Sequence, residues 1–157
     1  MRGFSLFGGA KIKAVQSGVR QMPGSVGTSS VTVNITPVDL NKSILLFNLS
    51  EPIVTGGTDG YFENSSTLKF ERNPNLATGY YNIFWWVLEF EDGVNVQYGR
   101  VTTTTNSATA SISLVDLSKS IPIVNNGVVL NFSTSDPRYI IPYCTLGQNY
   151  IQLFRNT

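Results

Sequence analysis

The densest group of residues able to do chemistry is acidic: Glu89, Glu91 and Asp92. On a strand, Glu89 and Glu91 share one face roughly 7 Å apart, the spacing of a glycosidase carboxylate pair. Turnover of that kind would be lost in Glu89→Gln. The cluster runs into Gly93, however, and a solvated strand end with its turn accounts for it better than a catalytic cleft. With Asp59 or Asp136 the same acids would offer oxygen ligands to calcium, but no dense Asp/Asn/Gly calcium loop accompanies them.

Other chemistry is excluded more firmly. The 157 residues include no histidine, which removes Ser-His-Asp and Cys-His nucleophiles and every histidine-containing metal site. Cys144 is the only cysteine, so there is no intrachain disulfide, redox pair or thiolate zinc cluster. It stands between Tyr143 and Thr145 without a basic activator and reads as a packed core thiol. Gly56, Gly57 and Gly60 lack the Lys-Ser/Thr of a phosphate loop. The residues predict no catalytic site, no metal and no cofactor.

Eleven basic and ten acidic residues leave a net charge of +1, with only 13% of residues charged. The basic residues are scattered, so no nucleic-acid partner is expected. No run approaches the ~18 apolar residues of a membrane span. Met1 to Gly9 is too short and Gly-broken for a secretory signal, so a soluble product made in a cytoplasm is expected.

The elements that would position these residues are strands. Sixteen Ser, 15 Thr and 14 Asn supply solubility in place of charge, and no window carries a 3.6-residue apolar period. Lys11–Gln16 reads as a strand stopped by Ser17-Gly18. Ser30–Thr36 alternates with Val31, Val33 and Ile35 inward, and Ser43–Asn48 is a short apolar strand. Gly56–Gly60 reads as a turn, and Thr67–Arg72 alternates with Leu68 and Phe70 inward. Tyr80–Phe90 is apolar on both faces, which predicts a central strand covered on each side, or on one side by a partner chain. The Asp92-Gly93 signal predicts a hairpin into Val94–Val101. Strands follow at 109–114, at 128–132 after the Asn125-Asn126-Gly127 turn, and at 150–154.

About ten short strands with turn signals every eight to twelve residues or so predict an all-β fold, an antiparallel β-sandwich of jelly-roll-like or Greek-key type. Residues 1–10 form an N-terminal arm. Residues 11–157 form one sandwich domain of two related halves, about 11–79 and 94–157, joined by the strand 80–93.

The two halves are visible as a duplication. Ile35-Thr36-Pro37-Val38-Asp39-Leu40-Asn41-Lys42-Ser43-Ile44 returns as Ile112-Ser113-Leu114-Val115-Asp116-Leu117-Ser118-Lys119-Ser120-Ile121, with seven of ten positions identical. Val15-Gln16-Ser17-Gly18 returns as Val96-Gln97-Tyr98-Gly99. The repeated segment reads as a corner: Asp39 and Asp116 bond nearby amides in an Asx-turn, and Leu40 and Leu117 plug the core. In a functional variant of this reading, Lys42 or Lys119 pairs across a subunit boundary. Phe4, Leu6 and Phe7 of the arm need burial, and the expected place is an adjacent subunit. Trp85 and Trp86 must face opposite ways; one is core, and the other is core, interface or sugar platform. The candidate interface residues are therefore Phe4, Leu6, Phe7, Trp85, Lys42 and Lys119.

The succession of Lys11–Gly18, the Val-Asp-Leu-Asn-Lys-Ser corner, Trp86-Val87-Leu88-Glu89-Phe90 and Val96-Gln97-Tyr98-Gly99 resembles a group of tailed-bacteriophage virion proteins. The resemblance implies a β-sandwich structural component of a phage particle. Decoration or cement proteins, head fibres and tail components are all built this way. A second similarity, through Val15-Gln16-Ser17-Gly18 and Trp86, is to the H-type lectin domain, a trimeric sandwich. The expectation is a non-enzymatic virion protein, homotrimeric, that stabilises the shell through contacts with itself and the major capsid protein. The alternative is a tail, baseplate or fibre component with a lectin-like module that binds a host-surface glycan.

Overall fold

The computed structural model describes residues 10–24, 30–50, 58–72, 79–101, 107–124 and 142–155. The fold is all-β. Nine strands lie among the described residues: β1 (Ile12–Met22), β2 (Ser30–Asn34), β3 (Ser43–Leu49), β4 (Thr58–Asn64), β5 (Thr67–Arg72), β6 (Tyr81–Phe90), β7 (Ser107–Ser111), β8 (Pro142–Leu146) and β9 (Tyr150–Arg155). They form three antiparallel sheets of three, in the orders β1-β6-β3, β2-β5-β4 and β7-β9-β8. The described residues divide into two compact units, meeting in the chain between Val96 and Gln97.

In the first unit, alternation selects what is buried. Tyr81, Ile83, Trp85 and Val87 of β6 point into a core that also holds Met22 of β1, Val31 of β2, Leu45 of β3, and Leu68 and Phe70 of β5. Both sheets of the unit thus contribute to one apolar cluster, and Phe47 meets Phe70 edge-on with ring centroids 5.5 Å apart. One end of this core is polar and fully partnered. Thr58 and Tyr81 share a buried hydroxyl–hydroxyl bond of 2.6 Å, and the buried Arg72 donates to the carbonyls of Pro23 and Gly79.

The sequence reading misplaces several boundaries here. β1 does not stop at Ser17-Gly18 but runs to Met22, because Gly18 lies opposite Trp85 and its missing side chain makes room for the indole. Gly60 is likewise inside β4 rather than in a turn; a Cβ there would lie 2.7 Å from Phe47 and 2.8 Å from Phe70. Val94–Val101 forms no ladder with β6, so Asp92-Gly93 does not close a hairpin. Both edges of β6 are already taken, by β1 and β3. The chain instead leaves the sheet through a Glu91 amide bond to the Lys11 carbonyl and a Val96 amide bond to the Asn41 carbonyl.

In the second unit, β7 and β9 pair from Ser107↔Phe154 to Ser111↔Tyr150, just as β2 and β5 pair from Ser30↔Glu71 to Asn34↔Thr67. β7 begins two residues earlier than expected, β8 was not foreseen, and the expected strand 128–132 lies outside the described residues. Cys144, expected in a core, is half-buried on β8, and burial pushes its thiol up.

The backbone around the repeated segment bonds alike in both units. Ile35 and Val38 donate to Ser66 and Ser65; Ile112 and Val115 donate to Asn149 and Gln148. Gln16 brackets Thr36, accepting from its amide and donating to its carbonyl, and Gln97 does the same to Ser113. Asp39 accepts from the Asn41 amide and Asp116 from the Ser118 amide, the Asx-turn expected at each corner.

Candidate assembly surface

β6 turns one apolar face inward and the other outward. Register then decides what surrounds the outward face. Leu88 lies between Val15 and Ile44, Trp86 between Ser17 and Leu46, and Phe84 between Val19 and Asn48. Directly opposed residues of antiparallel strands share a face, so Val15, Val19, Ile44, Leu46, Phe84, Trp86 and Leu88 lie together on the outside of the sheet, with Ser17 and Asn48 among them. Val15 and Val19 are 57% and 58% exposed, Phe84 37% and Trp86 41%. A sheet with one face on the core ordinarily carries polar residues on the other. Here the exposed apolar residues lie on β1 and β6, with the half-buried Ile44 and Leu46 of β3 beside them.

The tryptophans divide as their alternation requires. Trp85 is buried in the core of its own unit, with its indole nitrogen unpartnered, and Trp86 is the exposed one. The exposed aromatic on this surface is therefore Trp86, with Phe84, rather than the interface candidate Trp85. Phe4, Leu6 and Phe7 lie outside the described residues. Sequence reasoning found the two-sided strand but missed Val15 and Val19. Their signal is the alternation of β1, which points outward only once β1 is known to flank β6.

Lys42 and Lys119 occupy matching places in the repeated segment but meet different partners. Lys42 donates to the carbonyl of Glu91 at the end of β6 (2.8 Å) and lies 3.7 Å from Asp92. Lys119 folds back on Asp116 at 3.4 Å, with its side chain 80% exposed.

The acidic cluster is structural in its contacts. Glu89 is buried; its Oε1 accepts from Lys13 Nζ at 2.9 Å and from the Asp39 amide at 3.1 Å. The Lys13 ammonium, followed by the Asp39 amide, holds the Glu89 carboxyl below its ordinary value. A glycosidase acid needs the opposite displacement. Glu91 pairs with Lys11 at 2.5 Å. Among the described residues, no three His, Cys, Asp or Glu side chains group to hold a metal ion, and Asp136 lies outside them.

No family model, curated protein or solved structure matches the chain.

Proposed function

We propose that the chain is a non-enzymatic structural component of a tailed-phage particle, a decoration or cement protein that associates with copies of itself, as a trimer, and with the shell. The observation that carries this reading is the outward apolar surface of Val15, Val19, Phe84 and Trp86 on a sheet whose other face already covers a core. Burying such a surface yields roughly 25 cal/mol per Å², and repetition over many copies multiplies a modest contact. The composition agrees: few charges, many hydroxyls and no catalytic constellation. The architecture belonging to this reading is a β-sandwich in the first unit, with the second unit a repeat of its plan. The recurrent Gln16/Gln97 and Asp39/Asp116 contacts support the duplication.

The test is the copy number of this chain in purified particles, by quantitative mass spectrometry against the major shell protein. A ratio near one, or a simple fraction of it, is expected; absence from particles overturns the reading. The exposed Trp86 also favours a second reading, a receptor-binding module in which the indole stacks on a glycan. Quenching of its fluorescence by a sugar would support that reading, and silence across a broad glycan array would remove it.

A further inference from the structure

The exposed apolar strip of the first unit is small for an interface. A stable interface takes about 800 Å² from each partner, and a large aromatic side chain supplies ~150–250 Å² only when it passes from full exposure to full burial. Phe84 and Trp86 are already more than half covered, and Ile44, Leu46 and Leu88 beside them are half-buried. Flat contact between two such strips falls short, so a further apolar segment is needed.

The chain carries one. Phe4, Leu6 and Phe7 precede β1, separated from it by Gly8 and Gly9, and lie outside the described residues. Register fixes where this segment joins the sheet. Ile12 is opposite Phe90, and the Glu91 amide bonds the Lys11 carbonyl, so the chain enters β1 at the Phe90 end of β6. From that end Trp86 and Phe84 lie about 13 Å and 20 Å along the strand. An arm reversing at Gly8-Gly9 would first run about 10 Å past Phe90, and Phe7 to Phe4 would then return only to the level of Phe90. It stops short of Trp86 and Phe84 on its own sheet. Extended, the residues from Phe4 to Lys11 span ~26 Å and carry the aromatics outward to a neighbouring copy.

We infer that Phe4, Leu6 and Phe7 of one copy seat on the outward face of β1, β6 and β3 in the next copy, against Val15, Val19, Phe84 and Trp86. Ser17, the small residue between the two exposed valines, lies opposite Trp86, so no bulky neighbour walls off the β1 side of the indole. Passed around a closed ring, each copy gives one arm and receives one. This rests on the proposed self-association and names the segment that completes it.

The first test is sedimentation of the full chain carrying Phe4→Ser, Leu6→Ser and Phe7→Ser, with circular dichroism for retained β structure. Association at least about tenfold weaker than in the wild type is expected, since three apolar side chains no longer leave water. The second keeps the rest of the arm intact. Phe7→p-benzoylphenylalanine, photolysed in a mixed assembly of ordinary and heavy-isotope chains, is expected to cross-link to residues 15–19 or 84–88 of a chain of the other label. Cross-links confined to one label, cross-links elsewhere or none at all overturn the inference, as does an arm variant that associates as the wild type does. In that last case, loss of association in Phe84→Ser/Trp86→Ser would leave self-association through the face standing. Absence of the chain from particles would overturn the virion reading and leave the cross-linked arm in place. A wild-type chain that stays monomeric overturns both the arm's place and self-association.

Discussion

Gly18 lies opposite Trp85 in the ladder between β1 and β6, and a Cβ at residue 18 would sit 2.7 Å from the indole Cζ2. The core of the first unit therefore depends on an absent side chain. Gly18→Ala must push the ring against its neighbours, and overpacking of this kind costs about 1–3 kcal/mol. Urea denaturation followed by tryptophan fluorescence checks it. An unchanged midpoint would mean that the indole has room to move.

Gln16 and Gln97 each satisfy one amide and one carbonyl of the segment they bracket. Replacing either by Ala releases both backbone groups to water, with a net loss of about 1 kcal/mol. The two side chains share no partner, so the double variant should lose the sum of the single losses. Amide exchange should locate the loosening at Thr36 in one variant and at Ser113 in the other. Effects confined to a single variant would contradict the equivalence of the two corners.

Glu89 sets an acid limit on the fold. The hydrogen bond from Lys13, then that from the Asp39 amide, lowers the carboxyl from its ordinary value of 4.5. A folded-state value below the unfolded one contributes stability that is fully present above the unfolded value and lost as pH falls through the folded one. Stability should therefore decline as the pH drops below about 4.5. Glu89→Gln should cost about 1–3 kcal/mol at neutral pH and flatten that decline. A variant with the wild-type acid slope would place the titration elsewhere.

The strand class, the inward faces of β2 and β5 and the Asx-turn corners were legible because they depend on local alternation and turn chemistry. What failed depended on contacts distant in sequence. Gly18 and Gly60 look like breakers until Trp85 and Phe70 are seen to need their space. Asp92-Gly93 carries a hairpin signal, yet β1 and β3 had claimed both edges of β6, and a local turn preference cannot outweigh two complete ladders. The likeness of residues 35–44 to residues 112–121 is visible in the sequence itself. The unequal surroundings of Lys42 and Lys119 are not, since Lys42 meets the Glu91 carbonyl 49 residues away and Lys119 meets its neighbour Asp116.

The central claim is that the outward face of β1, β6 and β3 is covered by another copy of the chain. Phe84 and Trp86 are exposed, so replacing both by Ser should leave each unit folded. Sedimentation equilibrium of the wild-type chain and of the Phe84→Ser/Trp86→Ser variant, with circular dichroism to confirm retained β structure, tests the claim most directly. The account predicts a trimer for the wild type and a folded monomer for the variant. A wild-type monomer at every concentration reached, or a variant that associates as the wild type does, would contradict it.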